Sequence, residues 1–243
     1  MNLFETIGKV SFFICVCAIL NSLVGDVIFK SQYSYAKISG FSNELIDTSK
    51  DPIQTPLQNP KYIKYKAEKN IYALLPQAEY SISGYIVAKN TNFWLRNIMR
   101  NEFDELALID FGIVWGDLAK DPILLKKYLK FKSHKTLGSA RSLSWKYKKP
   151  VHETPWSIDY AGTHLAHTHI IPANKNVMSA LLKAKNNSII KLNGYLVDIY
   201  TDKSELIAKT SLSRHDTNPT SRGNGACEVM YVTQVQIKNE IYN

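Results

Sequence analysis

The stretch "HLAHTHIIPAN", residues 164–174, holds three histidines within six residues and reaches a proline soon after them. If residues 165–171 form a strand, successive side chains point to opposite faces of the sheet. His167 and His169 are two positions apart, so they would share one face with the apolar residues at both ends of the segment. The stretch therefore predicts a half-buried strand that carries two imidazoles side by side.

The same reasoning along the chain predicts about seven or eight strands and three short helices. Strands are predicted where β-branched and aromatic residues alternate or run together, at 79–90, 106–118, 142–148, 165–171, 188–202, 204–213 and 226–237. Helices are predicted from helical spacing or a capping residue, at 93–103, 121–131 and 172–185. The pattern indicates an α+β domain with a mostly antiparallel sheet that could close like a barrel.

The amino-terminal segment has the properties of a membrane anchor. Residues 7–29 are uncharged apart from Lys9 and Asp26. A spanning helix needs about 20 residues, and charged side chains near its ends can reach the membrane interface. A cleaved signal peptide is the alternative, but the residues around Gly25 fit a cleavage site poorly. We expect an uncleaved signal anchor, one transmembrane helix within residues 1–30.

The remaining chain divides into a tether and a domain. Residues 31–60 are expected to form an extended tether, since the segment Asp51–Pro60 holds three prolines. Residues 61–243 are expected to form the globular domain, which would be translocated because it follows a first transmembrane segment. We therefore expect a bacterial inner-membrane protein that spans once and contacts lipid through residues 7–29. Its soluble domain would lie in the periplasm, and its protein partner in the cell envelope.

Basic residues are concentrated in one part of the chain. Residues 120–149 contain ten basic residues and one acid, an excess that equals the formal net charge of +9 of the whole chain. A solvated face is the simplest interpretation. Attraction to an anionic lipid surface is the second. Nucleic-acid binding, suggested by aromatic residues interleaved with the lysines, is the least favoured.

The two imidazoles of the histidine strand are candidate metal ligands. Neutral imidazoles are common zinc ligands, and His167 and His169 on one strand face can reach the same ion. A third ligand must come from elsewhere, and the candidates are His215, Asp216, Cys227 and Glu228. The simpler alternative is a pair of histidines that hydrogen-bond to neighbours. We expect this simpler arrangement, in which no cofactor is bound. If the histidines do bind a metal ion, zinc is the expected cofactor.

The segment Arg214–Glu228 joins two predicted strands and is longer and more charged than a connection requires. Cys227 could act with His169 as a nucleophile, although a lone cysteine more often serves packing. Glu228 lies at the end of an apolar strand face and needs an arginine or a histidine as partner, because burying an unpaired carboxylate is costly.

These residues combine into one predicted site in which arginines bind an anionic group. It requires His169 and Glu228 to face a shared pocket, with a tryptophan packed beneath. The residues assigned to ligand binding are Arg141, Arg214, Asp216 and Trp115.

Ordered blocks within residues 80–235 resemble an uncharacterised family of bacterial membrane-anchored proteins. They include "IDFGIVWGDLA", "HTHIIPAN" and "SLSRHDTNPTSRGNGACEVMYVTQV". The matching positions are Trp115, Gly116, Arg141, His169, Pro172, Arg214, Asp216, Gly223, Gly225, Cys227 and Glu228. The chain departs from the family pattern by the extra residues "TNPTSR" before Gly223. The resemblance implies membrane anchoring but no activity.

Three classes of function follow from the sequence. The leading hypothesis is a membrane-anchored binding or assembly module of the bacterial envelope, with its site around residues 214–228. The alternative is a metal- or cysteine-dependent hydrolase, with His169, Cys227 and Glu228 as candidate catalytic residues. The third is a basic-surface binder of nucleic acid or anionic lipid. The sequence does not decide whether the protein is an enzyme.

Overall fold

The computed structural model describes residues 35–67, 70–91, 101–135, 141–213 and 227–243, together with Phe12 and residues 31–33. The strands within them are β1 (Gly40–Phe41), β2 (Ile53–Pro56), β3 (Ile63–Ala67), β4 (Asn70–Thr91), β5 (Ile109–Val114), β6 (Leu129–Lys135), β7 (Arg141–Tyr147), β8 (Leu165–Pro172), β9 (Ile189–Thr201), β10 (Leu206–Ala208), β11 (Glu228–Ile237) and β12 (Glu240–Tyr242). The helices are α1 (Glu102–Leu106), α2 (Asp117–Lys120), α3 (Pro122–Tyr128), α4 (Ile158–Thr163) and α5 (Lys175–Lys183), and a 3₁₀ turn spans Val151–Glu153.

Ten of these strands form one sheet, in the order β1-β12-β11-β8-β5-β4-β9-β10, with β2 and β3 paired to the long strand β4. The described pairings in the sheet are antiparallel except that of β8 with β11, which is parallel. Because β11 also pairs with β9, the strands β11, β8, β5, β4 and β9 close into a ring. The predicted α+β class and mostly antiparallel sheet are confirmed.

The largest hydrophobic cluster joins all five strands of the ring. Each strand contributes alternate apolar residues, among them Ile82, Phe111, Ile170, Leu192 and Met230. Alternation follows from the strand geometry, in which every second side chain lies on the same face. Helix α5 adds its apolar face to this cluster. The intervening residues of β5 and β8 therefore point to the opposite face of the sheet, away from this core.

Two capping residues start helices where the sequence predicts them. The side chain of Asp121 accepts hydrogen bonds from the amides of Ile123 and Leu124 at the start of α3. The side chain of Asn174 accepts one from the amide of Val177 at the start of α5. Each carboxylate or amide oxygen satisfies donors that a helix leaves unpaired at its first turn.

Strands β6 and β7 form a separate two-stranded sheet that packs over β5. Its inner side chains, including Phe131, Leu143 and Trp145, join a cluster around Leu125 and Trp156. A Cβ at Gly112 would lie 2.8 Å from Leu143 Cδ2, so glycine at this position of β5 lets the sheet approach closely. This close packing places Arg141, the first residue of β7, over the outer face of β5.

Some elements differ from the sequence prediction. The predicted tether contributes β1 and β2 to the sheet, because strand pairing satisfies its backbone despite the prolines. The predicted strand at 204–213 shortens to β10, and the chain closes with a further strand, β12, that the sequence does not reveal. The described residues form five helices where the sequence predicts three, and the additional ones are short. Of the predicted helix 93–103, residues 93–100 lie outside the described part.

No helix in the described part of the chain is long and apolar enough to cross a membrane. The longest of the five, α5, has 9 residues, about half of the roughly 20 that a spanning helix needs. This finding contradicts the membrane and transmembrane prediction. Residues 7–29, on which that prediction was based, lie outside the described residues except for Phe12.

Candidate metal centre

His167 and His169 project from one face of β8 and meet Cys227, which immediately precedes β11. The Nδ1 atom of His167 lies 3.0 Å from the Sγ atom of Cys227. One nitrogen of each imidazole and the sulfur all lie within 4.8 Å of one another. The parallel register of β8 and β11 explains this proximity, since Val229 pairs with His169 and Cys227 lies two residues earlier on the same face.

Asp110 orients the second imidazole. Strands β5 and β8 are antiparallel and pair Asp110 directly with His169. The Oδ1 atom of Asp110 lies 2.7 Å from Nδ1 of His169. A carboxylate only accepts hydrogen bonds, so Nδ1 carries the proton and the lone pair is on Nε2. A histidine that donates to a carboxylate in this way is the usual arrangement behind a metal ligand.

Arg141 links the site to helix α1. Its side chain is 1% exposed, and its Nη1 donates to the carbonyl of Ala107 at 2.6 Å and to Oδ1 of Asp110 at 2.8 Å. Its Nε lies 3.2 Å from Oδ1 of Asp104, in α1. The ring of Phe103 lies 5.0 Å from the guanidinium carbon and makes an edge contact with His169. These contacts hold Asp110, and through it His169, in one orientation.

The electrostatics of the cluster favour a neutral His167 near an ionised Asp110. Burial of Asp110 acts to raise its pKa, but the neighbouring His169 and Arg141 hold that pKa below its ordinary value. Burial, with the positive charges that His169 and Arg141 can carry, lowers the pKa of His167 to about 3, although Asp110 opposes this effect. His167 is therefore neutral at physiological pH, which is the form that binds metal ions.

The structure brings together His167, His169, Cys227 and Arg141 but separates them from Glu228. Residue 228 pairs with Thr168, and strand alternation turns its side chain to the face opposite His169. The predicted pocket shared by His169 and Glu228 is therefore wrong. One residue of register decides this, because the side-chain period of a strand is two.

Trp115 also lies away from the cluster. It follows the end of β5 opposite to Asp110, and its indole Nε1 donates to Oδ1 of Asp51 at 2.8 Å. The prediction that Trp115 packs beneath the site is wrong. The predicted ligand-binding residues Arg214 and Asp216, together with His215, lie outside the described residues.

Sequence reasoning missed Asp104 and Asp110, which hold Arg141. Asp110 is fully flanked by apolar residues in "LALIDFGIVW", residues 106–115. A carboxylate within such a buried strand must have a charged or hydrogen-bonding partner, and that requirement is the signal that could have identified it.

Comparison of the chain with protein-family models, curated proteins and solved structures finds no match. The protein belongs to the α+β class and carries a His-His-Cys cluster, made of two buried histidines and a partly exposed cysteine, with an Asp-Arg pair behind it.

Proposed function

We propose that this protein is a metal-dependent binding module, in which His167, His169 and Cys227 hold a zinc ion that forms the centre of its ligand site. The observation that carries the proposal is that two imidazoles of one strand and a thiol 60 residues after His167 converge within 4.8 Å.

The donor set suits zinc, which takes nitrogen and sulfur ligands at about 2.0–2.3 Å. Donor atoms around one tetrahedral ion lie about 3.4–3.6 Å apart by that geometry, so closure of the cluster requires side-chain movements on the order of 1 Å. Asp110 would fix the orientation of the His169 ring towards the ion.

Three protein ligands leave one position of a tetrahedral ion for an atom of a bound molecule or for water. Binding of a ligand through this position agrees with the binding module predicted from the sequence. The same metal site could also serve a hydrolase, because a zinc ion activates water bound at an open coordination position.

Metal analysis of the purified protein tests this proposal. We expect about one zinc per chain by mass spectrometry, and loss of that zinc from the variants His167→Ala and Cys227→Ser, because each removes one of three ligands. His152→Ala is the matched control, since the His152 side chain is 82% exposed and should not affect metal content. Wild-type protein that neither retains zinc nor takes it up from a weak chelator would refute the proposal.

A cysteine nucleophile is the second candidate. Asp110 orients His169, and a nitrogen of His169 lies within 4.8 Å of the sulfur of Cys227. Catalytic triads have the same order of carboxylate, imidazole and nucleophile. However, the imidazole closest to the sulfur belongs to His167, whose low pKa makes it a weak base.

Alkylation by iodoacetamide, followed by peptide mass spectrometry to distinguish Cys227 from Cys15 and Cys17, separates the two candidates. Under the metal proposal, zinc protects Cys227 and a chelator restores its reaction. Rapid alkylation that zinc does not slow would instead support the nucleophile.

A further inference from the structure

The outer face of the β6–β7 sheet, with the lysines beside it, forms a continuous basic surface. We call this surface the basic ribbon. Its exposed residues are Lys126, Lys127, Lys130, Lys132, Ser142, Ser144, Lys146, Lys148 and Lys149. Residues 122–152 contain no acidic residue at all. Seven of the ten basic residues between positions 120 and 149 therefore belong to this one surface.

The ribbon charge is not required by the fold. Lys130 pairs directly with Lys146 across the two strands, and like charges in that position destabilise a sheet. Within the described part of the chain, no ion pair joins Lys130, Lys132 or Lys146 to a carboxylate. A face that costs stability and carries unneutralised charge has the properties of an interaction surface.

The chemistry of the ribbon indicates the kind of partner. Its aromatic residues, Phe131, Trp145 and Tyr147, are half-buried against the domain and so provide no exposed stacking platform for single-stranded nucleic acid. The one arginine within the two strands, Arg141, is buried and paired with Asp110. Bidentate recognition of phosphate or of base edges, which uses arginine, is thus missing from the described ribbon.

Lysine ammonium groups and the hydroxyl of Ser142 remain on the exposed face of the two strands, since the hydroxyl of Ser144 donates to the carbonyl of Lys132. Carboxylates meet both groups through single hydrogen bonds and charge complementarity, without bidentate geometry. We propose that the basic ribbon docks a protein partner through a carboxylate-rich surface on that partner. The proposal is independent of the metal centre and adds a second interaction site to the molecule.

Fluorescence anisotropy with a labelled polyglutamate peptide tests the ribbon. A labelled duplex DNA of mixed sequence serves as the comparison probe. The affinity of each probe is measured at salt concentrations between about 50 and 200 mM. We expect the peptide to bind more tightly than the duplex. The triple variant Lys130→Glu/Lys132→Glu/Lys146→Glu should weaken peptide binding at least about tenfold, because it reverses the charge of the docking face.

The matched control is Lys61→Glu/Lys64→Glu/Lys66→Glu, which makes the same change in net charge at exposed lysines on and beside β3. It should retain binding within about threefold, since those lysines lie outside the ribbon. Equal weakening by both triple variants would show attraction to net charge alone and overturn the proposal. Absence of peptide binding, or tighter binding of the duplex, would also overturn it. Circular dichroism of both variants establishes that they are folded.

Discussion

Replacement of Arg141 by alanine is expected to lower the free energy of unfolding by about 3–5 kcal/mol. The guanidinium is buried and forms contacts with Asp110, Asp104 and the carbonyl of Ala107. Its loss removes the positive charge beside the buried carboxylate of Asp110, and also the link between α1 and β5. Denaturant unfolding followed by circular dichroism measures the change.

Lys146→Ala is a suitable control because it lies on the exposed face of the same strand, and its effect should stay within about 0.5 kcal/mol. Arg141→Lys keeps the charge but cannot contact all three partners, so its effect should fall between these two. A loss below about 1 kcal/mol in Arg141→Ala would show that the buried network contributes little to the fold.

The second large effect is expected at Gly194, where β9 meets β11 and the ring closes. A Cβ built at this position would lie 2.0 Å from the backbone oxygen of Tyr231, a distance that requires the two strands to separate. Gly194→Ala should therefore cost about 3 kcal/mol or more, at the upper end of overpacking effects. Thermal and denaturant unfolding of the variant provide the measurement.

Gly40→Ala is the matched control, because a Cβ there meets no atom within 4 Å. Its unfolding free energy should stay within about 0.5 kcal/mol of the wild type. If the two alanine variants proved equally stable, tight closure of the ring at Gly194 would be disproved.

The local features of the site follow from the sequence, because they depend on spacing within one strand. Alternation along β8 predicts that His167 and His169 share a face. In the structure they lie on the same face, with their ring centres 4.7 Å apart. The alternation of Leu143, Trp145 and Tyr147 likewise predicts the half-buried strand β7. In both strands the periodicity of two is a property of the backbone itself.

The partners of these residues do not follow from the sequence, because they depend on the register between distant strands. Asp110 reaches His169 only because β5 and β8 pair with those residues opposite each other. Likewise, β8 and β11 pair in parallel, which places Cys227 beside His167 and turns Glu228 away. A shift of one residue would reverse these two outcomes.

The α+β class, the shared face of the two imidazoles and the concentration of lysines between residues 120 and 149 can all be predicted from the order of the residues. Three features emerge only from the folded chain: the strands close into a ring, Asp110 and Arg141 lie behind His169, and Cys227 completes the cluster. The difference arises because residue spacing sets which side chains share a face of one element. The packing of the whole core selects which faces and which registers meet.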